Sequence, residues 1–209
     1  MNRPLVSREE VSWGAEPVER ADAARNRRVL LATAREMLAE EGADKLTMDG
    51  LAERAGLGKG TVFRRFGTRA GIFRALLDDA ERTFQELVLT GPPPLGPGAP
   101  PLDRLVAYGR ARIGFLIEHR DIARATLDGS EPIPAGSRTP MSQLHIRVLL
   151  GQMELGPADL DVLAVQLNAA LDGPLLLYLS ADDLAEPAAR SAERIARGWQ
   201  DLIRRACRP

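Results

Sequence analysis

Leu46-Thr47-Met48-Asp49-Gly50-Leu51-Ala52-Glu53-Arg54-Ala55-Gly56-Leu57-Gly58-Lys59-Gly60-Thr61-Val62-Phe63-Arg64-Arg65-Phe66-Gly67-Thr68-Arg69 contains two short helical patterns punctuated by glycines. Thr47 reads as an N-cap, and Asp49 lies in the first turn, where a carboxylate faces the positive helix end. Met48, Leu51, Ala52 and Ala55 follow at i, i+3, i+4 and i+7, one helical face. Gly56-Leu57-Gly58 breaks that helix, with Leu57 placed to plug the core beneath the turn. A second helix is expected from Lys59 to Phe66, ended by Gly67, and Thr68 caps a longer helix reaching about Leu89. Val62 and Phe66 point to its rear, while Thr61, Arg64 and Arg65 share the opposite face. The pattern is a helix-turn-helix. Its second helix has what reading a major groove requires: an anchored rear, a thin front at Gly60, and cationic donors.

Roles follow from side-chain chemistry. Arg64 or Arg65 suits guanine O6/N7, and Thr61 suits a thymine methyl or a phosphate. Thr47 and Thr68, at helix starts, suit phosphate, with Lys59 and Arg69 adding charge nearby. Arg25 and Arg28 can reach an adjacent groove or backbone. The charge distribution agrees. The whole chain has 28 Lys+Arg and 29 Asp+Glu, but residues 25–74 hold 11 basic and 6 acidic residues, a net of +5. The remainder, with 17 basic and 23 acidic residues, carries -6. A basic segment on an acidic body fits an anion-binding module, although a solvated helical surface with chance asymmetry has the same count.

The quoted stretch resembles the DNA-binding signature of TetR-family transcriptional regulators. That signature has a threonine, then Ile-Ala, then Ala-Gly-Val-Ser-Lys-Gly-Thr-Leu-Tyr-x-His-Phe, then Ser-Lys leading into the fourth helix. The likeness covers about Arg25 to Leu77, a quarter of the chain. Three positions depart from it. Gly58 replaces the capping serine, Phe63 stands where tyrosine is common, and Arg65 stands where histidine is common. Phe63 loses a phenolic hydrogen bond to phosphate and reads either as a core-edge aromatic or as a DNA contact.

Outward from this stretch, Met1 to Asp22 is polar and aperiodic and reads as a flexible arm (1–22). A helix from Ala23 to Glu41 carries Leu30, Ala34, Met37 and Leu38 on one face, ended by Gly42. The helix-turn-helix domain is placed at 23–67 and a helical body at 68–209. Gly91 to Pro101 holds six prolines and three glycines and reads as an ordered or semi-rigid connector. Further helices are expected at Leu102–His119, Asp121–Leu127, Met141–Glu154, Ala158–Leu179 with a kink at Pro174, and Ala188–Cys207, with a loop over Asp128–Pro140. No strand pattern occurs, so the fold class is all-α: an N-terminal three-helix helix-turn-helix domain joined to a larger helical ligand-binding and dimerisation domain. At 209 residues, with one cysteine and no apolar run of membrane-span length, the chain reads as cytoplasmic, without disulfides or a membrane partner.

The resemblance implies a homodimer on a near-palindromic operator in double-stranded DNA, because two half-sites need two recognition helices. In the family the last two long helices form the interface. The corresponding candidates are Leu160, Leu163, Leu167, Ile195, Trp199 and Leu202, each of which could instead face the subunit's own core. The family also implies a small-molecule pocket in the body, with candidate lining residues Phe115, His119, Met141, His145, Leu149, Leu167 and Leu171. The two histidines have no cysteine or acidic spacing motif beside them and specify no metal; no cofactor is expected. The expected function is a non-enzymatic transcriptional repressor released by an unknown effector. The alternatives are a regulator controlled by a protein partner and, further off, a helical enzyme using His119 and His145.

Overall fold

A computed structural model of the protein describes residues 17–126, 140–180 and 188–207. Every regular element among them is helical. Helix α1 spans Pro17–Glu41, starting inside the segment read as an arm and ahead of the expected Ala23. Pro17 takes the first helical position, where its missing N–H costs nothing, and the residues after it are good helix formers. Residues 1–16 lie outside the described set. Gly42 adopts φ 83°, closed by its N–H on the Leu38 carbonyl at 3.1 Å, and a 3-10 turn over Ala43–Lys45 follows.

Helices α2 (Met48–Arg54) and α3 (Lys59–Phe66) form as the glycine pattern predicts. Thr47 caps α2 by accepting from the Gly50 N–H at 3.0 Å. Thr68 caps α4 (Arg69–Thr90) by accepting from the Gly71 N–H at 3.1 Å. The turn between α2 and α3 closes through the Leu57 N–H on the Ala52 carbonyl at 3.0 Å, and Leu57 packs onto the core. That core joins Leu30, Leu31, Ala34 and Met37 of α1 to Leu51 and Ala52 of α2 and Val62 of α3. Ile72, Phe73 and Leu76 of α4 complete it, so the three-helix unit closes on the start of α4, beyond residue 67.

The body contains α5 (Pro101–Glu118), α6 (Arg120–Ala125), α7 (Pro140–Leu150), α8 (Leu160–Ser180) and α9 (Ala188–Ala206). The loop expected over 128–140 lies almost wholly outside the described residues. The proline connector is ordered, with the Gly96 N–H on the Pro92 carbonyl at 2.9 Å and Leu95 packed on the body. Helix α7 stops at Leu150, short of Glu154, because Gly151, Gln152 and Met153 turn back onto its last carbonyls. Helix α8 starts after Asp159, whose carboxylate accepts from the Asp161 and Val162 N–H groups at 3.1 Å each, and continues through Pro174 as one helix.

A second core fills the body with Phe84 and Val88 of α4, Leu105 and Tyr108 of α5, Leu149 of α7, Leu171 of α8 and Trp199 of α9. Helix α9 lies along α5, and Trp199 anchors it: the indole N–H donates to the Leu105 carbonyl at 3.1 Å. Gly109 makes this approach possible, since a Cβ there would stand 1.9 Å from the indole nitrogen. Trp199 is 3% exposed, so its apolar payload serves its own subunit. Substituting Gly109→Ala forces the buried ring to move, and we expect a loss of about 1–3 kcal/mol in urea denaturation.

Candidate nucleic-acid interface and effector cavity

Helix α3 presents two different surfaces. Val62 is fully buried and Phe66 packs on the same core, which fixes the rear. Phe63, Arg64 and Arg65 are exposed and Thr61 is half-buried at the front. A Cβ added at Gly60 would meet nothing within 4 Å, so the front of the helix is open at that position. Phe63 is 65% exposed, which removes the core-edge reading and leaves an apolar ring on the solvent side of α3. Gly58 caps α3 without a side-chain hydrogen bond, as its departure from serine requires.

The basic residues divide by what they already hold. Arg25, Arg28 and Arg64 are exposed and meet no carboxylate among the described residues. Lys59 pairs with Asp49 at 2.8 Å, an exposed contact that competes only weakly with another anion. Arg65 donates to the Ala23 carbonyl at 2.8 Å, tying α3 to α1. Arg69 is engaged internally: it donates to the Leu46 carbonyl at 2.7 Å and to the Ala43 carbonyl at 2.5 Å, over the Phe73 ring. Through Nε and Nη2 its guanidinium braces the α1–α2 connection against α4. Thr47 and Thr68 use their hydroxyl oxygens as caps and remain exposed. Arg54 holds Glu40 and Glu41, and Arg27, Arg35 and Arg82 all converge on Asp79. Burial pushes the Asp79 carboxyl up, but the Arg35 hydrogen bond and the three guanidinium charges outweigh it and hold it below the ordinary range. Much of the +5 segment is therefore structural charge.

The body holds a cavity of about 170 Å³ between α4, α5 and α7. Met141 and His145, two of the pocket candidates named from the sequence, line it. Phe115, Leu149, Leu167 and Leu171 face the packed core and are at most 8% exposed. His119 stacks on Phe115 at 4.4 Å and places Nδ1 2.9 Å from that residue's carbonyl oxygen. The lining residues missed by sequence reasoning are Glu81, Phe84, Gln85, Val88 and Leu89 of α4, Tyr108 of α5, and Ser142, Leu144 and Val148 of α7. The α4 set recurs at i, i+3, i+4, i+7 and i+8, so the signal was an acid on an apolar helical stripe.

Behind this wall lies a buried polar cluster. Arg112, 3% exposed, donates to Glu81 at 2.6 Å and lies over the Phe84 and Phe115 rings at 5.5 and 5.0 Å. Asp172 is held by the Asn168 amide at 2.8 Å, and burial pushes its carboxyl up against the opposing effects of Arg112 and Asn168. Burial also raises the Tyr108 hydroxyl, keeping it neutral. His145 is pushed down to about 4, first by burial and then by the Arg104 charge, so its imidazole is uncharged at neutral pH.

Residues 30–76 match the family model described as bacterial regulatory proteins, tetR family. This N-terminal stretch is similar to the DNA-binding domain of that family. No curated protein sequence matches the chain significantly. The whole chain has the fold of TetR-family transcriptional regulators. A TetR-family transcriptional regulator from Pectobacterium atrosepticum superposes with a TM-score of 0.67 at 19% identity, covering 91% of this chain and 98% of that one. One from Rhodococcus sp. gives 0.60 at 18% identity over 88% and 100% of the two chains. A TetR/AcrR regulator from Thermobifida fusca gives 0.58 at 20%, over 85% and 97%. Among the described residues, no group of three or more His, Cys, Asp or Glu could hold a metal, and no helix is long and apolar enough to cross a membrane.

Arg69→Ala is expected to cost about 1.5–3 kcal/mol in chemical denaturation, because both backbone carbonyls lose a charged donor. His145 gives a second expectation. Between pH 6.5 and about 4 the unfolded chain binds a proton there that the folded one does not, so this contribution to stability falls as pH falls. His145→Gln should flatten that part of the stability–pH curve when measured against the parent protein.

Proposed function

We propose that the protein is a dimeric, sequence-specific DNA-binding regulator of transcription that acts as a repressor and is released by a small molecule in the body cavity. The observation that carries this reading is the shared helix α4. Its first turns supply Ile72, Phe73 and Leu76 to the core behind α3, and its later turns supply Glu81, Phe84, Gln85 and Val88 to the cavity wall. From Ile72 to Gln85 is about 20 Å of continuous helix. A ligand that displaces the cavity end of α4 therefore moves the frame that holds the recognition helix. Helix α6 gives a second route, since Ile122 and Ala125 pack on the N-terminal core. A ligand with different affinity for the two arrangements shifts DNA affinity by the same factor, on the order of 5–150-fold for 1–3 kcal/mol.

Dimerisation rests on α8. Ala164, Leu167 and Leu171 face the subunit core, while Val162 and Val165 are 49% and 50% exposed on the other side. A helix apolar all round is a buried helix, and a second copy would cover the outer face. Of the interface candidates, Leu167 and Trp199 are in the subunit's own core and Leu160, Leu163 and Ile195 pack against it, leaving Leu202 exposed on α9. The cavity favours sensing over control by a protein partner, because a regulator without an effector needs no space beside a hydrogen-bonding wall. His119 and His145 lie on different elements with separate surroundings, which weakens the enzyme reading.

The test is selection of binding sites from random duplex fragments at two salt concentrations. We expect a near-palindromic site, with affinity falling steeply as salt rises. Arg64→Ala is expected to relax base preference and Lys59→Ala to weaken all sequences alike. Equal losses on every sequence for both variants would contradict that division, and no enrichment at all would remove the specific-regulator reading.

A further inference from the structure

Two polar contacts on the cavity wall are already closed, and one polar atom beside them is not. Glu81 is committed to Arg112 behind the wall through Oε2 at 2.6 Å. Tyr108 and Ser142 are hydrogen-bonded to each other, and burial keeps the phenol neutral. The open atom belongs to His145. Its ring lines the cavity 4.9 Å from the Tyr108 ring, and its Nε2 is buried without a hydrogen-bond partner among the described residues. Such an atom carries a desolvation cost that a ligand hydrogen bond removes. Most of the remaining wall is apolar, with Phe84 and Val88 buried and Leu89, Met141, Leu144 and Val148 exposed at the rim.

The electrostatics disfavour either ion. Burial and the Arg104 charge hold His145 uncharged, and a place that disfavours the imidazolium disfavours an ammonium for the same two reasons. A carboxylate would meet Glu81, and no lysine or arginine is among the described lining residues. Arg104 stands one turn before Tyr108 on α5, outside that lining, and acts on the cavity as a field at His145. That field turns the oxygen end of a neutral dipole towards the imidazole. A neutral imidazole has one nitrogen that donates and one that accepts, and a hydroxyl can serve either, so it pairs with Nε2 in both tautomers. An ether or a ketone pairs with the donor form alone.

We propose that the cavity takes an uncharged hydroxyl compound, its oxygen on His145 Nε2 and a compact apolar body of about one ring against Phe84, Val88, Leu144 and Val148. The size follows from the 170 Å³ volume, since a cavity of about 150 Å³ holds benzene. The inference rests on the sensing role of this cavity, and its test needs no DNA, so the two can fail separately.

The experiment titrates the full-length protein at pH 7.5 with four probes of one size: 2-phenylethanol, 2-phenylethylamine, phenylacetate and ethylbenzene. Calorimetry and the shift in melting temperature report binding. The alcohol should bind at least tenfold more tightly than either ion, because each ion would be buried without a partner. His145→Phe keeps a ring against Tyr108 and removes the nitrogens. It should weaken the alcohol at least fivefold and leave ethylbenzene within about twofold. His145→Gln, whose amide both donates and accepts, should hold the alcohol within about threefold of the parent protein. Val148→Trp, at the rim, should weaken all four probes. Should His145→Phe fail to fold, the order of alcohol over amine and acid on the parent protein still decides the matter. Either ion binding as tightly as the alcohol, an alcohol affinity indifferent to His145→Phe, or no binding by any probe at millimolar concentration would each overturn the proposal. Alcohol binding with the expected dependences, but without any change in operator affinity, would leave the ligand class standing and remove the sensing reading.

Discussion

Both hydrophobic cores are built on one helix. The hydrogen-bond ladder of α4 runs from Arg69 to Thr90, and burying its two ends on different partners makes it a lever that neither half can reposition alone. At the N-terminal end the fit is tight in a specific way. A Cβ at Gly71 would lie 1.9 Å from the Phe66 carbonyl oxygen, so the sharp passage from α3 into α4 needs a glycine there. Thr68 caps the same turn, and Arg69 nails it to the carbonyls of Ala43 and Leu46. Helix α3 is thus held by the start of α4 as well as by its own core. On the proposed reading, motion at the cavity reaches α3 as a change of angle between packed bodies, because close-packed interiors transmit displacement.

Charge is used in three ways along this lever. At the front of α3 it is open to solvent, at Arg64 and beside it at Lys59. In the frame it is consumed: Asp79 gathers Arg27, Arg35 and Arg82, fixing α1 along α4. In the body it is buried, where Arg112 is neutralised by Glu81 and has Asp172 close enough to act on its field. A buried ion pair of this kind is weak evidence for stability, since desolvation costs are comparable to the Coulomb gain. Its effect is on the cavity wall, where it commits the Glu81 carboxylate to Arg112 while the Arg104 charge acts on His145.

The helix-turn-helix was legible because its signals are local. Thr47, Gly56, Gly58, Gly67 and Thr68 act within three or four residues of where they stand, so the limits of α2 and α3 could be read directly. The cavity was only partly legible. Met141 and His145 could be named from α7, but the opposite wall is the Glu81–Val88 face of α4, and nothing local says which surface α7 packs against. Trp199 shows the same limit: an amphipathic stripe states that a face is buried and leaves open whether the partner is α5 or another subunit. Here Gly109, far earlier in the chain, made α5 the partner.

By itself the sequence determined what depends on neighbours in the chain: helix identity, caps, breaks, and the buried rear and open front of α3. Tertiary structure alone decided what depends on pairs far apart. It gave Arg69 a bracing role on the Ala43 and Leu46 carbonyls, placed Leu167 and Trp199 in the subunit core, and set Glu81 and His145 on walls of one cavity. The physical reason is range. Backbone hydrogen bonds and capping act over one helical turn, whereas burial and electrostatics depend on which surfaces meet when the chain closes on itself.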